Sequence, residues 1–145
     1  MIKPYILVIS TVLAGSAVLA HSGVKNPAVQ ARMHAMSIIG EDVKTLGLMA
    51  KGEQAFDIDA AKAALREIAE HAGQAPDLFR ANEDDPKSEA KPAIWENFED
   101  FTTKAVALEN VALELSTSLA SVDDLGPAMA ALGDTCKSCH ADYRE

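Results

Sequence analysis

Apolar side chains recur along this chain in steps of three and four, the period of a helix face. No stretch alternates with period two for long enough to make a strand. Asn26-Pro27 opens the first run, an N-cap residue followed by the proline favoured at the first helical position. Val29, Met33, Met36, Ile39, Val43 and Leu46 then lie on one face, and Gly52 ends the helix. A second helix is predicted from about Asp59 to His71, with Ala61, Leu65, Ile68 and Ala72 on one side. Gly73 and Pro76 are its expected stop. Residues 73–92 hold three prolines and the acidic cluster Asn82-Glu83-Asp84-Asp85, which reads as a long exposed connection with a solvated charge run. A third helix begins near Pro92, with Ile94, Phe98, Phe101, Ala105, Leu108, Ala112, Leu115 and Leu119 as its stripe. The fourth follows Asp123-Asp124 and carries Leu125, Met129, Leu132, Cys136, Cys139 and Tyr143 on one face. Four amphipathic helices with mostly short connections pack most simply as an all-α antiparallel four-helix bundle.

Composition narrows the function. The chain has 145 residues, 48% of them hydrophobic, which suits a single globular domain. Lys and Arg total 13 against 22 Asp and Glu, so the formal charge of −9 argues against a nucleic-acid partner. The first twenty residues have their own character. Lys3 is a minimal basic start, Tyr5 to Val18 is mostly apolar, and Val18-Leu19-Ala20 supplies small residues around a cleavage point. That is the pattern of a secretory signal over residues 1–20, with a mature domain over 21–145 that begins at His21 in the periplasm. A membrane anchor is the competing reading, since the apolar run approaches the length of a spanning helix. Losing Lys3 leaves 12 basic and 22 acidic side chains, a formal charge of −10.

The chemistry is concentrated in Cys136-Lys137-Ser138-Cys139-His140. C-x-x-C-H is the attachment sequence of a c-type haem. Residues three and four apart share a helix face, so the two thiols and the imidazole converge on one flat macrocycle. The cysteines form thioethers, and His140 binds the iron from the same side. Two other uses of the pentapeptide fit less well. A thioredoxin-like site needs its C-x-x-C at a helix start after a strand, and no strand is predicted. A structural zinc site needs about four ligands, and His34 and His71 are the remaining interior nitrogen donors. No serine has a matching His and Asp at meaningful positions, so a carrier rather than an enzyme is expected.

With these residues in view, the chain resembles the cytochrome c-prime family, the class II c-type cytochromes, whose four-helix bundle carries its haem motif near the C-terminus. The segment Cys136-Lys137-Ser138-Cys139-His140-Ala141-Asp142-Tyr143-Arg144 resembles the family's closing stretch. Pro92-Ala93-Ile94-Trp95, with Phe98 and Phe101, resembles the start of its third helix, and Ala28 to Met36 the part of the first helix over the haem's distal side.

The resemblance implies one covalent haem c with its iron. It also implies two kinds of member. In one, a first-helix methionine is the sixth ligand and the protein carries electrons; in the other, the iron is five-coordinate and binds nitric oxide or carbon monoxide. Met36 matches the distal position, so Met36 and His140 are the expected iron ligands and electron transfer is the expected function. Met36 as a packing side chain is the competing reading, and Met33 is the reserve ligand. His34 lies about 200° around the helix from Met36 and is expected to be exposed. Arg32 is expected either to pair with a haem propionate or to be a solvated helix charge. Arg144, one turn past His140, either influences the imidazole or favours the helix C-terminus. Trp95 and Phe98 are expected in the core, and His71 at the surface near the second helix's end. The acidic surface suggests redox partners with basic patches. The family further implies a homodimer, for which Leu48, Met49 and Phe56 are the apolar surface available in the sequence.

Overall fold

A computed structural model of the chain describes residues 23–145; the secretory signal predicted over residues 1–20 lies outside the described residues. Five helices follow in order: α1 (Pro27–Ala50), α2 (Ile58–Leu78), α3 (Ala93–Glu96), α4 (Phe98–Ser118) and α5 (Leu125–Tyr143). A single 3-10 turn, Val122–Asp124, leads into α5. Helix α1 packs on α2, α2 on α4, α4 on α5, and α5 back on α1, which closes the antiparallel four-helix bundle. The short α3 leads into α4. No helix among the described residues is long and apolar enough to cross a membrane.

Local chemistry sets the helix starts. The side chain of Asn26 accepts from the amides of Ala28 (2.8 Å) and Val29 (3.2 Å), and Pro27 follows it. Gly52, at φ +70°, turns the chain out of α1 in the left-handed region. Asp57 caps α2 through the amides of Asp59 and Ala60.

Two helix boundaries and one loop residue differ from the expectations above. Helix α2 does not stop at Gly73 and Pro76 but runs to Leu78. An interior proline costs about 3 kcal/mol. Continuing the helix buries Ala75 and delivers Phe79 to a position with its ring 5.0 Å from Phe101. Burying a phenylalanine contributes about 1.5–3 kcal/mol, and an aromatic pair about 1 more, so packing offsets the proline. The third predicted helix is broken at Asn97, whose φ of −130° and ψ of 48° separate α3 from α4. Asn is a weak helix former because its side chain competes for nearby backbone groups. The acidic run is also not wholly solvated. Asp85 is buried, and its carboxylate accepts from the amides of Lys25 (2.8 Å), Asn26 (3.1 Å) and Lys87 (3.0 Å). Those bonds hold its carboxyl below the usual carboxylate range.

Two apolar clusters fill the bundle. The larger joins Leu46, Met49, Leu65, Ile68, Leu125 and Leu132. The smaller is aromatic, with Phe79, Ile94, Phe101 and Tyr143 at the α3–α5 end. Met49 is therefore core, at 1% exposure, and Leu48 and Phe56 are only half-exposed. Of the three residues expected as apolar surface, Met49 is buried in the last turn of α1 and Phe56 packs partly against the same core, which leaves little continuous patch. The connection before α3 is tied to the C-terminus. Ala90 and Arg144 form an antiparallel bridge, and the amide of Lys91 donates to the carbonyl of Tyr143 at 3.0 Å.

Candidate haem site

A cavity of about 480 Å³ lies between α1, α4 and α5, closed at one end by the aromatic cluster. Cys136, Cys139 and His140 line it from α5; Arg32, Met33 and Met36 line it from α1; Arg144 borders it beside the connection residues Ser88, Glu89 and Ala90. Every predicted site residue therefore reaches one cavity, although the residues span more than a hundred positions of sequence. The volume falls within the range usual for small-molecule and cofactor sites.

The α5 wall follows from helix geometry. Cys136, Cys139 and His140 sit in the interior and last turn of one helix, three and four residues apart, so they face the same way. Both cysteines are free and half-buried. Burial pushes both thiols up from their ordinary values. A reactive dithiol has a depressed thiol, usually at a helix N-terminus; Cys136 instead lies eleven residues into α5. His140 keeps an exposed edge, while desolvation of the rest of its ring and then the charge of Arg144 push the imidazole down, towards the neutral form that binds metals. Among the described residues, no cluster of three or more His, Cys, Asp or Glu side chains is placed to hold a metal ion unaided. The donor set suits a macrocycle that brings its own nitrogens to the iron and needs only axial partners. Haem fits the residues present.

The α1 wall carries both methionines. Met36 is half-buried, lines the cavity and packs against both core clusters. Met33, one turn earlier, borders the same space. His34 points away and is exposed, as expected from its angle on the helix. Trp95 and Phe98 pack against the aromatic cluster, also as expected, and the indole N–H of Trp95 donates to the carbonyl of Phe79 at 2.8 Å. His71 is not near the end of its helix, because α2 continues seven residues past it. It is half-buried, with a buried Nδ1 lacking a hydrogen-bond partner.

Arg32 is engaged by backbone carbonyls while it lines the cavity. It is 3% exposed, so it is not a solvated helix charge. Its Nε donates to the carbonyl of Leu78 (3.0 Å), Nη1 to that of Glu83 (2.7 Å), and Nη2 to that of Ala81. The guanidinium carbon also lies 4.9 Å from the centre of the Phe79 ring and 5.4 Å from that of Trp95. This buried cation closes the carbonyl-rich exit of α2 onto α1, one turn from Met36. Arg144 forms a two-point ion pair with Glu89, at 2.6 and 2.7 Å, so it ties the connection to the end of α5.

Two features were missed by sequence reasoning. Phe79 fell inside a segment read as a loop. Lys104 sat beside an apolar stripe, where its only signal was Asp100 four residues earlier. Lys104 pairs with Asp142 and lies 3.5 Å from Asp100; Tyr143 donates to Asp100 at 2.6 Å. That bond holds the Asp100 carboxyl down and pushes the Tyr143 hydroxyl up to about 12.

Comparison with known proteins places this arrangement. The family described as Cytochrome C' matches residues 27–144. The cytochrome c-556 of Agrobacterium tumefaciens (strain B2A) is 39% identical over 117 residues, covering 80% of this chain and 95% of that protein. A cytochrome c' of Cereibacter sphaeroides is 33% identical over 143 residues, covering 95% of this chain and 96% of that protein. Among solved structures, the cytochrome c' from Rhodopseudomonas palustris superposes with a TM-score of 0.77 at 27% identity, covering 83% of this chain and 98% of the other. Cytochrome c' is itself a standard example of the up-down-up-down bundle.

Proposed function

The chain belongs to the cytochrome c' family, whose members carry covalently attached haem c with its iron, and on that premise we propose that it is a periplasmic one-electron carrier and not an enzyme. When bound, the haem supplies reversible ferric–ferrous cycling. Cys136 and Cys139 would tether it through thioethers, and His140 and Met36 would be the two protein ligands of its iron. Such a thioether–imidazole pair would close the iron to small molecules and raise its potential, which suits a carrier. The observation that carries this reading is that Met36 lines, from α1, the same cavity that His140 lines from α5. Arg32 keeps that wall in place by binding α1 to the exit of α2. The apolar lining from Ile39, Val43, Leu108 and Ala105 limits water near the iron, so less solvent reorganises as the charge changes.

The mature protein starts at His21 after cleavage of the signal segment, and its formal charge of −10 suits redox partners with basic patches. The alternative, a five-coordinate protein binding nitric oxide or carbon monoxide, draws support from the packing of Met36 against both core clusters. A side chain held that way is able to shield the iron without binding it.

An absorption spectrum of the reduced protein separates the two. Met36 ligation gives a low-spin ferrous wild type, and Met36→Ala becomes high-spin and binds carbon monoxide rapidly. A wild type that is already high-spin refutes the carrier reading and establishes the gas-binding one.

A further inference from the structure

The haem reading takes only apolar lining from α4 and gives no part to its charged residue Lys104, which lines the same cavity as Cys139 and His140. Its side chain is 21% exposed, while its partners Asp100 and Asp142 are 55% and 57% exposed, so the cation is drawn inward between two outer carboxylates. The ammonium makes three polar contacts. It pairs with Asp142, lies 3.5 Å from Asp100, and approaches the carbonyl of Ser138 at 3.4 Å. It also lies 5.4 Å from the centre of the Tyr143 ring, whose hydroxyl donates to the same Asp100. Ser138 belongs to the attachment pentapeptide, and Asp142 and Tyr143 lie two and three residues past His140. One α4 side chain thus grips the segment of α5 on both sides of the proximal ligand.

We propose, on the haem reading above, that Lys104 is a positioning residue that pins residues 138–142 against α4 and sets a fixed positive charge on the proximal side of the haem. Pinning follows from the contacts: Lys104 is the α4 group that reaches the Ser138 carbonyl and the Asp142 carboxylate together. The charge acts separately. A cation favours the oxidation state with less positive charge, so Lys104 favours the ferrous form. Asp142 opposes it, since an anion beside the same site favours the ferric form. The two carboxylates outnumber the lysine charge, but its removal still takes one positive charge from the site; with the carboxylates more than half exposed, solvent screens the effect to about threefold in the ferrous-to-ferric ratio.

The test measures midpoint potentials of haem-loaded mature protein, with hydrogen exchange at residues 138–144 as the second readout. Lys104→Met lowers the ferrous-to-ferric ratio about threefold at fixed ambient potential, equivalent to about 28 mV, and speeds exchange in that segment. Lys104→Arg restores the potential. Asp142→Asn, at an exposed position, shifts the potential the opposite way while also speeding exchange, and it carries the test if Lys104→Met fails to fold. A purely structural contact moves both variants in the same direction or moves exchange alone, and either result overturns the proposal. Wild type purified without covalent haem overturns the haem reading as well; haem present with unshifted potentials overturns only the role of Lys104.

Discussion

Replacing Arg32 by methionine removes a buried cation that serves three backbone carbonyls at once. Leu78, Ala81 and Glu83 each lose a charged donor, at 3.0 Å, the closest contact, and 2.7 Å respectively. Hydrogen bonds to charged groups contribute about 1.5–3 kcal/mol when buried, but neutral ones only about 1. Ala81 and Glu83 are exposed residues, so water reaches their carbonyls in the variant and the lower figure applies to both. The stacking of the guanidinium over Phe79 and Trp95 adds about 1 kcal/mol. The methionine keeps much of the apolar stem. Burial pushes the guanidinium down from its usual value, and Glu83 and Asp84 oppose this, so the group remains a cation held without a direct carboxylate partner. These losses sum to about 4.5 kcal/mol or a little more, and removing a cation that burial disfavours returns about 1.5 kcal/mol of it. The expected loss is therefore about 3 kcal/mol, which for a domain of this size lowers the melting temperature by about 10 °C. Urea unfolding of the haem-loaded protein measures it, and hydrogen exchange over residues 79–85 should rise before the rest of the bundle opens. Lysine at this position keeps the charge but loses the planar fork, and should recover less than half the loss. A cost below about 0.5 kcal/mol, or full recovery by Arg32→Lys, refutes the argument that carbonyl geometry is what Arg32 provides.

Two further outcomes follow from local chemistry. Burial and the nearby Glu67 push the Asp42 carboxyl up to about 6, with His71 opposing and Glu41 adding to it, and its Oδ2 has no hydrogen-bond partner. The folded state therefore binds this proton more tightly than the unfolded chain, whose carboxyl titrates near 3.9. Its contribution is full below about pH 4 and is lost as pH rises through about 6. Asp42→Asn should stabilise the protein at pH 7.5 and lose that advantage by pH 4, as read from urea midpoints; a constant difference across that range refutes it. Gly73 lies inside α2, where a Cβ would come within 2.9 Å of the Glu109 carboxylate. That obstacle is the end of a flexible side chain, so the backbone gain from Gly73→Ala should prevail by about 0.5 kcal/mol. A lower melting temperature would show that Glu109 is unable to move.

Most features that depend on neighbouring residues were legible, the break at Asn97 being the exception. Helix faces at steps of three and four, the Asn26-Pro27 start and the Gly52 end are properties of neighbouring residues, and each appears where the sequence alone locates it. The spacing within Cys136-Lys137-Ser138-Cys139-His140 likewise determines that three reactive groups share a helix face, whatever the helix packs against. Other features depended on partners far along the chain. Pro76 reads as a stop until Phe79 is seen against Phe101, because the burial that offsets the proline comes from another helix. Asp85 reads as a solvated charge until the amides of Lys25 and Asn26, some sixty residues earlier, converge on it. Arg32 had no visible partner because carbonyls carry no side-chain identity, and Lys104 none beyond Asp100 because Ser138 and Asp142 meet it across the bundle. Sequence thus determined the helices and the chemistry each one carries. Only the tertiary structure decided which buried charges are answered and by what, since a charge taken from water must find its partners wherever the fold brings them.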